Sequence, residues 1–231
     1  LTYAGVPYPI DDYIKALKTN ENNNPSVELI RSFGQKIADA NEEDLQQIIA
    51  EHMNIDEIIS YAVVDRIIRN DDGAFHWYCE GNSCENHNYY WYEEPSTAQL
   101  HLIPWDLDNA FENILYNANP VTPIADQWGS SRNNCQPFAF GAWGIPQKSA
   151  ACDKLTRGWT KFSSTYESLK TEFLNGPLSI TQIDQQIDLW VKQISIAHAE
   201  ASNLHDDVQN EESWINEINL FKAQLSKARQ N

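Results

Sequence analysis

The stretch that decides the fold runs from His87 to Phe111 and reads H-N-Y-Y-W-Y-E-E-P-S-T-A-Q-L-H-L-I-P-W-D-L-D-N-A-F. Two segments rich in aromatic and branched residues flank a turn around Pro95 and Ser96. This order is typical of a β-hairpin. The spacing therefore predicts a hairpin that is followed at once by Trp105-Asp106-Leu107-Asp108.

Segments with helical periodicity surround this hairpin on both sides. Before it, we expect a short helix from Ile10, a second with Pro25 in its first turn, a third capped by Asn41, and a well-buried fourth capped by Asn54 or Asp56. After it, residues 117–153 indicate a long irregular loop rich in Asn, Pro, Gly and Ser. Three helices follow the loop. The first covers residues 154–174. The second begins after a cap at Ser179 or Thr181 and has an apolar side that includes Trp190 and Ile194, and the third begins after a cap at Asn210. The predicted fold class is α+β and mainly α-helical, in a single domain over residues 1–231.

Composition limits the possible classes of protein. The 231 residues are 42% hydrophobic and 21% charged, which is enough apolar material to bury a sizeable core. The formal net charge is −17, so nucleic acid and anionic membrane surfaces would repel the chain. No apolar run approaches the roughly 20 residues of a membrane-spanning helix. We therefore expect neither a nucleic-acid partner nor a membrane span.

The four cysteines fall into two close pairs, Cys79 with Cys84 and Cys135 with Cys152. An even number in loop-like sequence favours two local disulfides and an oxidising compartment over free thiols. Zinc binding is an alternative for the first pair, since Cys79, Cys84 and His87 have a spacing that a zinc site tolerates. Either His76 or His101 would then be the fourth ligand.

The centre of the chain is acidic. Residues 70–131 include many aspartates and glutamates but no lysine or arginine. Carboxylates grouped without cations are costly unless water or a metal compensates them. Three groups could converge if the hairpin folds back, and their oxygens suit Mg²⁺, Mn²⁺ or Ca²⁺: Asp71-Asp72, Asn86-His87-Asn88 and Asp106-x-Asp108. The alternative is a set of solvated loop carboxylates, and D-L-D-N from Asp106 also resembles the start of a calcium loop.

The order of these motifs resembles the CotH family, the spore-coat-protein-H-like atypical kinases. The resemblance rests on N-D-D, then H-N-Y-Y-W-Y, then a hairpin and I-P-W-D-L-D-N-A-F, from about Ile58 to Phe111. The sequence F-L-N-G-P-L-S from Phe173 is also similar to the family's C-terminal region. The resemblance implies a protein-kinase-like large (C-terminal) lobe, with the hairpin carrying the site. It also implies metal-dependent phosphoryl transfer from ATP, with Mg²⁺ or Mn²⁺, to Ser or Thr of an extracytoplasmic protein.

The family's functional positions transfer to residues of this chain one at a time. Asp72 matches the catalytic aspartate that ends N-x-D. Asn88 and Asp106 match the asparagine and the aspartate that hold metal and nucleotide phosphates. The resemblance makes Asp108 a second metal contact or a structural hydrogen-bonding residue. For His87 it implies packing or hydrogen bonding rather than chemistry.

Two departures from the family's pattern bear on these assignments. The segment G-A-F-H-W-Y-C-E-G-N-S-C-E-N, residues 73–86, separates the aspartates from His87, where the family has only a few residues. We interpret it as a stapled loop that shapes substrate access, and it leaves open whether Asp71 or Asp72 is catalytic. In addition, no glycine-rich loop or V-A-x-K-like strand precedes Asp72. We therefore expect this chain to be the large lobe of a longer kinase and to be inactive without its missing N-terminal lobe. We expect the protein to be extracellular, on the cell surface or periplasmic.

A different class of function is a non-catalytic secreted module that binds carbohydrate or protein. Eight tryptophans provide material for an aromatic platform, and Trp128, Trp143 and Trp159 lie in or beside the irregular loop. This alternative predicts binding that does not depend on Asp72 or Asp106.

Overall fold

The computed structural model describes residues 2–3, 6–19, 25–70, 72–81, 83–107, 110–111, 131, 133–140 and 144–229. These residues form an α+β fold that is mainly helical, as expected. In chain order the elements are β1 (Thr2–Tyr3), β2 (Val6–Pro7), α1 (Ile10–Ala16), α2 (Glu28–Asp39), α3 (Leu45–His52), α4 (Ile55–Ile67), β3 (Trp77–Glu80), β4 (Ser83–Glu85), β5 (Tyr89–Glu94), β6 (Gln99–Pro104), β7 (Phe138–Phe140), β8 (Ile145–Lys148), α5 (Lys154–Trp159), α6 (Ser163–Asn175), α7 (Ile180–Leu204) and α8 (Glu211–Ala228).

The helix starts follow the predicted caps where a side chain can accept a backbone hydrogen bond. Asn54 caps α4, because its Oδ1 accepts from the backbone N–H of Glu57 at 3.3 Å. Two other expectations were wrong. Pro25 lies before α2, whose N-cap is Val27, and α3 begins after Asp44 rather than Asn41.

The main core forms where α2, α3, α4, α5 and α6 pack against β6. As predicted, α4 is well buried, with Ile59 and Val63 fully inaccessible. Gly158 lets α5 approach α3 closely, because a Cβ there would lie only 2.4 Å from Ile49 Cδ1. Apolar side chains from the whole helical group fill this core: Val27, Ile30, Phe33, Ile37, Leu45, Ile49, Met53, Ile58, Ile59, Ala62, Val63, Ile67, Leu155, Trp159, Phe162 and Tyr166.

The predicted hairpin is present as β5 and β6, joined by a turn over residues 95–98. The strands pair antiparallel, with Trp91 opposite Leu102 and Tyr90 opposite Ile103. Leu102 is buried and Trp91 packs on the main core, whereas Tyr90 and Ile103 are exposed. One face of the hairpin is therefore anchored to the helices, and its outer face is open beside the acidic residues.

A second sheet, in the order β4-β3-β8-β7, lies outside the expectations from sequence. The segment we interpreted as a stapled loop contains a short hairpin of β3 and β4. Part of the expected irregular loop over 117–153 is also strand, because β8 pairs antiparallel with both β3 and β7. Both predicted disulfides are present, Cys79–Cys84 and Cys135–Cys152.

The last helices form a long antiparallel pair. Ser179 caps α7 and Asn210 caps α8, where Asn210 Oδ1 accepts from the backbone N–H of Ser213 at 2.9 Å. A small cluster around Ile187 and Leu225 joins the two helices. Trp190 and Ile194, which we expected on the apolar side of α7, are instead about half exposed. Within the described residues, we find no helix with the length and hydropathy to cross a bilayer.

Truncation of a buried and of an exposed isoleucine tests which residues form the core. Ile59→Ala should lower the free energy of unfolding by about 2–5 kcal/mol, because it leaves a cavity in fully buried surroundings. The control is Ile196→Ala, at a helical isoleucine that is 81% exposed, which should change it by less than about 0.5 kcal/mol. Urea denaturation followed by circular dichroism measures both, and equal losses would contradict this core.

Candidate functional site

The candidate site is built on a turn that follows α4 and whose described residues are Asn70 and 72–76. The carboxylate of Asp65, on the last full turn of α4, is 1% exposed and lies beneath it. Asp65 Oδ1 accepts a hydrogen bond from Asn70 Nδ2, and Oδ2 accepts one from His76 Nε2, each at 2.9 Å. Since Asn70 and His76 are also buried, this network ties both ends of the turn to the helix.

Close packing inside the turn restricts its shape further. A Cβ at Gly73 would lie 2.6 Å from Asn70 Nδ2 and 3.2 Å from Asp65 Oδ1, so only glycine fits without displacing the network. The buried phenol of Tyr61 borders the same space, and its burial, with the nearby Asp65 carboxylate, raises the pKa of Tyr61. The turn is therefore held by polar groups that have little room to move.

Asn86 links this turn to the hairpin. Its Nδ2 donates to the backbone carbonyl of Ala74 at 2.7 Å, and its Oδ1 accepts from the Tyr89 hydroxyl at 2.9 Å. Burial raises the pKa of Tyr89 to about 12, so its hydroxyl stays protonated to a higher pH than that of an exposed tyrosine. The end of the turn and the start of β5 therefore hold a fixed distance from each other.

The structure brings Asp72 and Asn88 into direct contact. Asn88 Nδ2 donates to Asp72 Oδ2 at 2.8 Å and to the Asp72 backbone carbonyl at 2.9 Å. The backbone N–H of Trp105 donates to the Asn88 carbonyl at 2.9 Å, which places Asp106 one residue beyond this bond. On the other side of Asp72, His87 Nδ1 lies 3.5 Å from Oδ1. The three predicted residues thus lie at one end of the hairpin.

Asn88 and Asp106 share an uncommon backbone conformation. Their φ angles are +57° and +54°, in the left-handed region that few non-glycine residues adopt. Asparagine and aspartate tolerate this region better than other residues with a Cβ. Both residues lie where the two strands leave the regular hairpin, so the positive φ turns their side chains out of the strand alternation. Backbone strain of this kind is concentrated at functional sites.

The donor atoms suit a hard divalent cation that arrives with its own oxygen ligands. Asn88 uses its amide nitrogen on Asp72, so its amide oxygen is the atom that a cation would contact. Asp106 is exposed and supplies a carboxylate. Within the described residues, no group of three or more His, Cys, Asp or Glu side chains forms a metal site. Mg²⁺ is commonly held by one or two protein oxygens together with phosphate oxygens. Asp71 and Asp108, the other predicted participants, lie outside the described residues.

The zinc alternative was wrong. Cys79 and Cys84 are bonded to each other, so neither thiolate is available to a metal. His76 is buried and engaged with Asp65, while His101 lies 2.9 Å from Glu57. The calcium alternative includes Asp108, which lies outside the described residues.

Part of the expected tryptophan platform was also wrong. Trp159 is buried in the main core, where its ring packs edge-to-face on Phe75 at a centroid distance of 5.5 Å. Trp128 and Trp143 lie outside the described residues. Exposed aromatic residues also lie on the outer face of the hairpin, where the rings of Tyr90 and Trp105 are 6.0 Å apart.

Sequence reasoning missed the residues that support the site. Asp65 was assigned no role, Asn70 appeared only in the N-D-D motif, and His76 appeared only as an alternative zinc ligand. A signal was present, because Asp65 occupies a position on α4 between the apolar residues Ala62, Val63 and Ile67. A carboxylate on a buried helix face needs polar partners, and the turn that follows supplies them.

The chain was compared with known protein families and curated proteins. A family model described as CotH kinase protein matches residues 7–230, nearly the whole chain. No curated protein matches the sequence.

The Asp65 network yields a stability prediction. Asp65→Asn should lower the free energy of unfolding by about 3 kcal/mol, because the new amide group turns an N–H towards the donors of Asn70 or His76. Asp188→Asn, at an exposed carboxylate paired with Lys222, is the control and should cost less than about 1 kcal/mol. Urea denaturation of both variants measures the difference, and equal costs would exclude a supporting role for Asp65.

Proposed function

The chain belongs to the CotH kinase family, and on that premise we propose that it acts in phosphoryl transfer from metal-bound ATP to a hydroxyl group. The single observation that supports this most strongly is the contact between Asp72 and Asn88, 16 residues apart in sequence, beside Asp106. A carboxylate for the acceptor next to oxygen ligands for a metal nucleotide is the arrangement that phosphoryl transfer needs.

Each residue has a separate role in the proposed reaction. Asp72 orients the acceptor hydroxyl and receives its proton as the oxygen attacks the γ-phosphorus, while the bond to the β–γ bridging oxygen breaks and ADP leaves. Asn88 holds Asp72 Oδ2 in place through its amide nitrogen. The amide oxygen of Asn88 and the carboxylate of Asp106 would hold the metal nucleotide. Mg²⁺ or Mn²⁺, when bound, would neutralise the charge that develops on the phosphate oxygens.

The outer face of the hairpin is a suitable surface for the nucleobase. Tyr90, Ile103 and Trp105 are exposed there, and the Trp105 ring is 57% exposed immediately before Asp106. An aromatic surface next to carboxylates suits a ligand that has a flat ring at one end and metal-bound phosphates at the other. The base would stack on Trp105 while the phosphates reach Asn88 and Asp106.

The acceptor and the location are proposed on the family resemblance and on the disulfides. We propose Ser or Thr of an extracytoplasmic protein as the acceptor. Two disulfides, Cys79–Cys84 and Cys135–Cys152, are typical of oxidising compartments. A secreted, non-catalytic module remains the second candidate, and the exposed aromatic residues of the hairpin are the observation that favours it. The two candidates differ in whether binding requires the acidic residues.

Aspartate substitutions in the full-length protein separate metal binding from chemistry. Asp106→Ala should abolish Mg²⁺- or Mn²⁺-dependent ATP binding, because it removes the metal carboxylate. Asp72→Asn should keep ATP binding but lower kcat by about 10²–10⁴-fold, because it removes the proton acceptor. Calorimetry and a radiolabel transfer assay measure these effects, with exposed Asp206→Asn as the unchanged control. Ligand binding that survives in Asp106→Ala without metal would instead favour the non-catalytic module.

Two tryptophans of nearly equal exposure test the nucleobase surface. Trp105→Ala should raise the Kd for ATP about tenfold, because stacking on one base contributes roughly 1–3 kcal/mol. Trp190→Ala removes a ring that is 55% exposed on α7, away from the hairpin, and should leave the Kd unchanged. Equal effects of the two substitutions would contradict stacking on Trp105.

A further inference from the structure

His87 lies between the disulfide-closed hairpin and the candidate catalytic aspartate. Its ring stacks on Tyr78 of β3, with centroids 5.9 Å apart and planes within 27°. Its Nδ1 lies 3.5 Å from Asp72 Oδ1, on the opposite carboxylate oxygen from the one that Asn88 holds. Tyr78, His87 and Asp72 therefore form a continuous row of contacts from the second sheet to the site.

Tyr78 is itself fixed by the sheet around it. It pairs with Glu85 on β4 and with Gln147 on β8, so β3 is an interior strand at this position. The next pair along the β3–β4 hairpin is Cys79 with Cys84, which the disulfide closes. This covalent closure beside Tyr78 limits fraying between β3 and the edge strand β4.

The side chain of His87 needs such a support. It is 48% exposed, and an imidazole exposed to this extent samples several rotamers unless a neighbour restricts it. Stacking on a strand residue restricts the ring to the orientation that directs Nδ1 at Asp72. Reaction rates depend steeply on such placement, since a 1 Å displacement of a reacting group can cost about 10²-fold.

We infer that His87 is a positioning residue for Asp72, and that the disulfide-closed β3–β4 hairpin holds His87 in place through Tyr78. This inference rests on the proposed phosphoryl transfer, in which Asp72 is the catalytic residue. It gives residues 73–86, the segment that departs from the family's pattern, a role in the reaction: they form a stapled support for one oxygen of the aspartate, while Asn88 supports the other.

Substitutions at Tyr78 and His87 in the full-length protein test this row of contacts. Tyr78→Leu and His87→Ala should each lower kcat about tenfold and leave the KM for ATP unchanged, because the nucleotide ligands are untouched. Tyr78→Phe keeps the stacked ring and should retain kcat. Tyr92→Leu is the matched control, since Tyr92 also packs on a histidine, His101, with centroids 5.8 Å apart. It should leave kcat unchanged.

Two combined variants test whether the contacts act in series. Tyr78→Leu added to His87→Ala should cause no further loss of kcat, because both remove the same support. The double variant Cys79→Ser, Cys84→Ser should also lower kcat, because it opens the hairpin that holds Tyr78. A kcat that is unchanged in Tyr78→Leu, or that falls equally in Tyr92→Leu, would overturn the inference.

Amide hydrogen exchange over residues 70–76 provides a measurement that does not require activity. Tyr78→Leu should speed exchange in this turn relative to the wild type and to Tyr92→Leu, with the thermal midpoint showing that each variant is folded. If the wild type transfers no phosphate, the proposed function fails, and the exchange result alone then decides the positioning: faster exchange supports it and unchanged exchange overturns it. If the wild type transfers phosphate, the kcat comparison decides it.

Discussion

The buried carboxylate of Asp65 is the constraint on which the acidic site depends. A charge in this position is costly unless hydrogen bonds replace its hydration, and Asn70 and His76 supply them at 2.9 Å each. Those two residues delimit the turn that carries Asp72. Satisfying the buried carboxylate of Asp65 therefore determines where the partly buried carboxylate of Asp72 is placed, and the helix α4 that carries Asp65 is itself fixed by the apolar core.

The β5–β6 hairpin joins this turn to the rest of the site, because one of its faces packs on the helices and the other is exposed. The inner face, with Trp91 and Leu102, packs on the helices and so fixes the position of the hairpin on the core. Tyr89 reaches back through Asn86 to the turn, so the first residue of β5 is tied to the loop before it. The outer face stays open beside Asp106. Anchoring one face leaves the other face and the end of the hairpin rigid but accessible, as a binding site requires.

The segment over residues 73–86 shows how a departure from a family's pattern can be absorbed without disturbing the site. Its first residues stay with the buried network through His76, and its middle forms the β3–β4 hairpin closed by Cys79–Cys84. Its last residue, Asn86, bonds back to Ala74. Both ends of the insertion are therefore held at the turn, and the hairpin between them pairs with β8 in the second sheet. This explains how Asp72 and Asn88 remain in contact although 15 residues separate them in the chain.

Features that depend on neighbours along the chain were predictable from the amino-acid sequence. Aromatic and branched segments on both sides of a turn predicted the β5–β6 hairpin, helical spacing predicted a buried α4, and close cysteine spacing predicted both disulfides. The motif order also brought Asp72, Asn88 and Asp106 together as candidates. The Asp65 network, the pairing of β3 with β8 and the burial of Trp159 became visible only in the folded chain. Each of these features depends on contacts between residues that are distant in sequence or separated by a turn. A local sequence pattern does not identify such partners, so it could not predict these features.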